Sequence, residues 1–170
     1  MHDHANPSPT IPTPDTAIVH YVLEGLFPPG HTLAFNPTLE TLSLLRSDGT
    51  DLRLVAEQHF GSVEACVLRS LLDSYPHYCP YELLHASFAS SASFVSPATD
   101  LAVTRSRKRL QAALDDGTWE EEMRPVRNCL SRVRIKLRPL GIHVRSIFET
   151  GCLLMPKRQE QQETTLSAVS

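Results

Sequence analysis

Residues 124–155, RPVRNCLSRVRIKLRPLGIHVRSIFETGCLLM, decide the fold of this chain. Apolar residues in the first half of this stretch recur at helical spacing and share one face of a helix: Val126, Leu130, Val133 and Leu137. Pro125 suits the first turn of a helix and residues 139–141 end it, so we expect a helix at about 125–138. The stretches IHVRSIF and GCLLMP, joined by a turn at 149–151, predict a terminal hairpin of two strands.

The opposite face of this predicted helix is polar and basic. It carries Arg127, Asn128, Ser131, Arg132 and Ile135. A helix fits the major groove of DNA, where arginine and asparagine side chains have the geometry to read guanine and adenine edges. The helix is therefore a candidate for reading DNA, and an ordinary solvated basic surface is the alternative.

Charge is divided unevenly along the 170 residues, although the formal net charge of the whole chain is only −3. Residues 1–104 hold three basic and eleven acidic residues, which is a net charge of −8. Residues 105–158 hold thirteen basic and six acidic residues, which is a net charge of +7. Such a division is expected of a protein that presents one basic face to phosphates, and a solvated basic surface would account for it equally well.

The remaining sequence predicts a single domain at 16–156, with polar tails at 1–15 and 157–170 that we expect to be disordered. A short helix is expected at 17–26, followed by antiparallel strands at 31–35, 41–45 and 51–55. Helical spacing follows in SVEACVLRSLLDSYP, again at 80–88, and at about 100–114. The predicted fold class is therefore α+β, with N-terminal antiparallel strands, three or more helices and a C-terminal β-hairpin.

The cysteines and histidines suggest neither a disulfide framework nor a metal site. The four cysteines are scattered and form no CxxC pair, which favours a reduced compartment. His77, Cys79 and nearby His85 match no standard zinc spacing, so no metal is expected. No apolar run reaches the roughly 18 residues of a membrane span, and the N-terminus lacks the pattern of a secretory signal. We therefore expect a cytoplasmic protein without a membrane partner.

Sequence motifs of common enzyme classes are absent. The chain has no phosphate-binding P-loop, no GxSxG nucleophile elbow, no HExxH zinc motif and no dinucleotide-binding fingerprint. Nothing in the sequence orients His59 toward Cys66, or His77 toward Cys79, as a catalytic pair. We therefore expect no enzymatic activity and no cofactor.

The C-terminal stretch resembles a known family of DNA-binding domains. VRNCLSRVRIKLRPLGIHVRSIFETGCLL is similar to the pattern V-x-x-x-I-S-R-L-R-x-K-L, a strand, a T-V-x-x-x-G-Y hairpin and a final strand in the effector domain of OmpR/PhoB-type response regulators. The matching residues are Val126, Leu130, Ser131, Arg132, Val133, Arg134, Lys136, Leu137, Ser146, Ile147 and Gly151. The order of elements agrees over about 31–155, and the specific residues lie within 126–151.

This resemblance implies a winged helix-turn-helix domain, a sequence-specific transcription regulator that binds double-stranded DNA and associates with the nucleoid. Its recognition helix, at about 125–138, would enter the major groove and the hairpin would form the wing. RNA polymerase or another regulatory protein, and a second copy of the chain in a homodimer, are further partners that the family suggests. A winged-helix module that binds protein instead of DNA is the alternative.

The sequence departs from the family at three places. Only about 30 residues precede the first predicted strand, so control by a phosphorylated receiver domain is not expected. The loop before the recognition helix is enlarged to an insertion at about 89–122. Phe148 and Glu149 stand near the hairpin tip, where the family commonly has an arginine, so insertion of the wing into the minor groove is not expected.

Helix polarity and the resemblance together assign roles to the basic residues. Base contacts are expected from Arg127, Asn128, Ser131 and Arg132. Phosphate contacts are expected from Arg124, Arg134, Lys136, Arg138 and Arg145. A basic run on the preceding helix would extend the DNA contact, bind an acidic partner or remain solvated: Arg105, Arg107, Lys108 and Arg109. The acidic residues Glu120, Glu121 and Glu122 are expected to favour the positive end of the recognition helix.

Overall fold

A computed structural model describes residues 17–91 and 97–157 of the chain. In chain order its elements are β1 (Val19–Tyr21), β2 (His31–Asn36), β3 (Thr41–Asp48), β4 (Asp51–His59), α1 (Ser62–Ser74), β5 (Cys79–Pro80), α2 (Tyr81–Ala89), α3 (Asp100–Asp116), α4 (Trp119–Leu137), a 3-10 turn (Arg138–Leu140), β6 (Ile142–Ile147) and β7 (Gly151–Pro156). Four helices and two antiparallel sheets in the described residues confirm the predicted α+β class. The predicted tails, except Lys157, and residues 92–96 of the predicted insertion lie outside the described residues.

The N-terminal strands form an antiparallel sheet in the order β1-β2-β3-β4. Alternate side chains of β2 and β3 are buried, and Leu33 pairs with Leu44 while Phe35 pairs with Leu42. Successive side chains of a strand point to opposite faces of the sheet, which explains this period of two. The three strands predicted from the sequence are therefore confirmed.

The helix predicted at 17–26 is wrong. Val19–Tyr21 forms β1, which pairs with residues 33–35 of β2. Gly25 then adopts a left-handed φ of 82°, which an α-helix does not accommodate. The Tyr21 hydroxyl also donates a hydrogen bond to Asp73 of α1 at 2.5 Å. Pairing with β2 and this long-range contact outweigh the local apolar spacing that suggested a helix.

The helices share one hydrophobic core with the sheet. α1 contributes Val67, Leu68 and Leu71, and its Ser70 hydroxyl lies 2.5 Å from that of Ser87 in α2. α1, α2 and α3 confirm the helices predicted in SVEACVLRSLLDSYP, at 80–88 and at about 100–114. α3 ends where Gly117 takes a left-handed conformation, two residues after the predicted end.

The start of α4 was predicted too late. The helix begins at Trp119 and contains Pro125 in its interior, where the missing N–H forfeits a backbone hydrogen bond. Met123 is fully buried, and Trp119 packs edge-on against Tyr81 with ring centroids 6.0 Å apart. These contacts extend the apolar stripe toward the N-terminus and compensate for the proline. The acidic residues 120–122 occupy the first turn, as expected.

The C-terminal hairpin of β6 and β7 is joined by β5 into a second sheet, in the order β5-β7-β6. Gly151 pairs with Pro80 of β5, and a Cβ atom built on it would lie 2.0 Å from the carbonyl oxygen of Cys79. Only glycine fits this close approach of two backbones. The hairpin is therefore fixed beside the start of α2, and α4 lies next to it.

Candidate nucleic-acid interface

The outer face of α4 is a line of exposed side chains that runs the length of its C-terminal two thirds. It consists of Arg124, Asn128, Ser131, Ile135 and Arg138, the last of which continues the helix into the 3-10 turn. These positions follow a spacing of three or four residues, so they project to the same side, away from the buried stripe. The sequence predicted this separation of a polar face from an apolar one, and the structure confirms it.

The cations of this region differ in their partners. Arg124, Arg138 and Arg145 are exposed and form no ion pair with any residue in 17–91 or 97–157. Arg145 lies on β6, where it alternates with the buried Val144. Within the described part of the chain, these three arginines could therefore bind an external anion without breaking an ion pair.

Arg127 is held by Glu120 on the same helix. Both terminal nitrogens of its guanidinium contact the carboxylate, one of them at 3.2 Å. Both side chains are largely exposed, so the pair contributes little to stability. Arg127 can therefore exchange this carboxylate for another acceptor at small cost.

Glu64 is a buried acidic residue whose contacts with α4 the sequence did not predict. Its carboxylate accepts hydrogen bonds from Arg132 Nε at 3.1 Å, Lys136 Nζ at 2.5 Å and the backbone N–H of Gly61 at 3.0 Å. Burial alone would raise the pKa of Glu64. The hydrogen bonds that its carboxylate accepts from Lys136, Gly61 and Arg132 have a larger combined effect, and they lower this pKa from its usual 4.5. Glu64 follows Gly61, the residue that caps the N-terminus of α1, by three residues. A glutamate at this spacing is a signal of a helix start, and it could have identified Glu64 in the sequence.

Glu64 forms ion pairs with two residues that were predicted to contact DNA. Arg132 was expected to read bases and Lys136 to hold phosphate, yet both are bound to the same carboxylate of α1. Lys136 also lies over the ring of Phe60, 5.5 Å from its centroid. The side chain of Arg132 remains 55% exposed, so its guanidinium still faces solvent while Glu64 orients it.

Arg134 fastens the hairpin to α4. Its Nε donates to the carbonyl oxygen of Val144 at 3.2 Å, and a terminal nitrogen donates to the hydroxyl of Ser146 at 2.5 Å. The residue was predicted to contact phosphate. In the structure it sets the position of β6 relative to α4, so the helix and the hairpin present their exposed residues in a fixed arrangement.

The basic residues of α3 also differ in whether they form ion pairs. Arg107 pairs with Glu82 at 3.7 Å and Arg109 pairs with Glu122 at 2.5 Å. Arg105 and Lys108 are exposed and have no ion-pair partner in the described part of the chain. Two of the four cations are therefore paired with carboxylates, and the other two have no ion pair within the described residues.

A second network missed by the sequence analysis joins α2, α3 and α4 at His85. Its Nδ1 lies 2.8 Å from the hydroxyl of Ser106, and its Nε2 lies 2.9 Å from a carboxylate oxygen of Glu122. The hydrogen bond from His85 and the charge of Arg109 lower the pKa of Glu122. An ionised carboxylate only accepts, so Nε2 of His85 carries a proton. Ser106 is buried, which makes this trio an anchor between helices rather than an exposed nucleophile.

A surface cavity of about 650 Å³ lies between α4 and the tip of the hairpin. Arg127 and Arg134 line it together with Glu120 and Glu149, so its charges balance. Phe148 at the tip is 86% exposed, and Glu149 beside it adopts a left-handed φ of 54°. The tip thus presents an aromatic ring and a carboxylate, neither of which attracts phosphate.

No family model matches the chain, and no curated protein or solved structure is significantly similar to it. The resemblance to response-regulator effector domains therefore rests on the residues at 126–151. Among residues 17–91 and 97–157, no helix is long and apolar enough to cross a bilayer. The same residues include no group of three His, Cys, Asp or Glu side chains suited to hold a metal ion.

Proposed function

We propose that this protein is a sequence-specific regulator of transcription that binds double-stranded DNA through a winged helix-turn-helix, with α4 in the major groove. One observation carries the proposal: the outer face of α4 is exposed from residue 124 onward and places Asn128 and Ser131 between Arg124 and Arg138, neither of which forms an ion pair within the described residues. Side chains that read bases, flanked by cations that hold phosphates, are what a recognition helix requires.

The C-terminal hairpin would serve as the wing. Arg134 holds β6 against α4 through Val144 and Ser146, so the two elements would meet DNA as one rigid surface. Arg145 would contact phosphate from the exposed side of β6. Because Phe148 and Glu149 form the tip, we do not assign the tip to the minor groove.

The residues predicted to read bases differ in the partners that they already have within the protein. Asn128 is exposed, and Ser131 donates its hydroxyl to the carbonyl oxygen of Arg127 at 3.0 Å, so it would meet a base as an acceptor. Arg127 would have to exchange Glu120 for a base. Arg132 would read bases from a guanidinium already oriented by Glu64. The acidic first turn at 119–122 would repel phosphates, so α4 would enter the groove with its middle and C-terminal half.

The function is tested by selection of bound duplexes from a random pool, followed by anisotropy titration of the enriched duplex at several salt concentrations. The double variant Arg124→Ala/Arg138→Ala should lower the slope of log K against log salt by about two, because each phosphate contact contributes about 0.9. Asn128→Ala should cost about 1–3 kcal/mol of discrimination at one base pair. Arg53→Ala, which removes a 72% exposed arginine from β4, is the matched control and should change neither quantity.

The proposal implies a protein of the bacterial cytoplasm that associates with the nucleoid. A homodimer on paired half-sites, and contact with RNA polymerase through the enlarged segment before α4, belong to the same proposal. If no duplex is enriched, sequence-specific DNA binding is refuted.

One observation favours the second candidate, a winged-helix module that binds protein. Phe148 is a large apolar side chain, 86% exposed, at the tip of a hairpin that carries no cation there. A partner that covers Phe148 would lose affinity for a Phe148→Ser variant, whereas DNA affinity should not change. The pair of measurements separates the two functions.

A further inference from the structure

Ile135 is an apolar residue in the middle of a basic, polar surface. Its side chain is 60% exposed and lies on the outer face of α4, between Ser131 and Arg138. It takes no part in the hydrophobic core, which α4 reaches through Val133 and Leu137 on its other face. Removal of this side chain would therefore leave the core intact.

A single exposed aliphatic residue is common on protein surfaces and needs no function by itself. The position of Ile135 on α4 is what points to a function. It follows Asn128 by seven residues, which is two helical turns, so the two side chains lie in one line along the face assigned to bases. No carboxylate and no buried cation separates them along that line.

The major groove presents one apolar group, the C5-methyl of thymine, which distinguishes thymine from cytosine. An aliphatic side chain on a helix in that groove gains by contact with this methyl and gains nothing from a polar base edge. We propose that Ile135 is a specificity-determining residue that contacts a thymine methyl group in the target DNA. This inference rests on the proposed DNA-binding function and names part of the site that α4 reads.

The length of the helix limits where that thymine lies. Seven residues of α-helix span about 10.5 Å, and base pairs are stacked about 3.4 Å apart, so the thymine lies at most about three base pairs from the base that Asn128 contacts. Asparagine pairs best with adenine. We therefore expect two A·T pairs in the target half-site, at most about three steps apart.

The test replaces thymine by deoxyuridine, which removes only the methyl group and leaves base pairing intact. The enriched duplex is resynthesised with one deoxyuridine at each thymine position in turn, and the dissociation constant is measured by anisotropy. At one position the wild-type protein should lose about four-fold in affinity, the contribution of one buried methyl group. Ile135→Ala should bind the thymine and deoxyuridine duplexes equally at that position, and Ile135→Val should keep most of the difference.

An exposed leucine of the N-terminal sheet supplies the matched control. Leu54→Ala truncates a 59% exposed aliphatic side chain on β4 and should keep the full four-fold difference. If wild type is indifferent to deoxyuridine everywhere, or if Ile135→Ala retains the loss, the inference is wrong while the DNA-binding function stands. If no duplex is enriched at all, both the function and the inference are refuted.

Discussion

The carboxylate of Glu64 and the guanidinium of Arg132 meet at 3.1 Å, although 68 residues separate them in the chain. The contact ties the first turn of α1 to the surface of α4 that we assign to DNA. Lys136 shares the same carboxylate, so a single buried acid positions two cations one helical turn apart. α1 thus takes part in the arrangement of the proposed recognition helix.

Glu64→Gln should reduce the free energy of unfolding by about 1–3 kcal/mol. Glutamine has one acceptor oxygen, which can still accept from the N–H of Gly61 and from Lys136 but without its charge, while its NH2 group then faces Arg132 Nε, so that hydrogen bond is lost. Urea unfolding followed by circular dichroism measures the change. Asp116→Asn, which removes an exposed carboxylate from α3, should stay within about 0.5 kcal/mol of wild type and serves as the control.

The same variant should bind DNA with a steeper salt dependence. Without the negative charge of Glu64, Arg132 and Lys136 are free to exchange their partner for phosphate, and each new contact adds about 0.9 to the slope of log K against log salt. Anisotropy titrations of wild type and Glu64→Gln on one duplex, at three salt concentrations, give both slopes. An unchanged slope would mean that neither cation gains a phosphate contact when the charge of Glu64 is removed.

Stability should fall on both sides of a plateau between about pH 4.5 and pH 9. Glu64 and Glu122 have folded-state pKa values below 4.5, so below this pH the unfolded chain takes up protons first and stability declines. Burial raises the pKa of Cys79 to about 12 and that of Cys129 to about 11, so above pH 9 the unfolded thiols ionise first and stability declines again. Urea midpoints over this range test both limbs. Glu64→Gln should have the shallower acid limb, and an equally steep one would contradict the assignment.

Local patterns predicted most elements of this fold, since the spacing of apolar residues is a local property. The alternating burial of β2 and β3 and the stripe from Val126 to Leu137 are both of this kind. The start of α4 was misplaced because Pro125 is a strong local signal, whereas the packing of Trp119 on Tyr81 is a tertiary contact. The strand β1 was mistaken for a helix for the same reason.

The sequence predicted which face of α4 is exposed and basic, but it did not predict which carboxylates pair with the cations. Exposure of the basic face of α4 follows from helix periodicity. The partners of individual cations do not, because His85 and Glu122 are 37 residues apart and Glu64 and Lys136 are 72 apart. No pattern of residues in one segment identifies a partner in another, so the division of the arginines into paired and unpaired ones required the structure.

Gly151→Ala should lower the free energy of unfolding by more than about 2 kcal/mol. The added methyl would lie 2.0 Å from the carbonyl oxygen of Cys79, so β5 and β7 would have to separate. Gly49→Ala is the control, because it has a left-handed φ but no atom within 4 Å of the new methyl, and should cost about 1–2 kcal/mol from the backbone alone. Thermal and urea unfolding of the two variants measure the difference. Equal losses would show that the backbones do not approach so closely in solution.

His85→Ala should loosen α3 more than the rest of the molecule. The substitution removes the hydrogen bonds to Ser106 and Glu122 and leaves a buried hydroxyl without its partner, at a cost of about 2 kcal/mol. α3 is the element most dependent on these contacts, because it buries only Ser106, Leu110 and Ala113. Hydrogen exchange should therefore accelerate at least about ten-fold in 100–116, the factor that corresponds to 1.4 kcal/mol, and less in α1. His143→Ala, an exposed histidine of β6, is the control. If α3 and α1 accelerate equally in His85→Ala, the network stabilises the whole fold and does not hold α3 in particular.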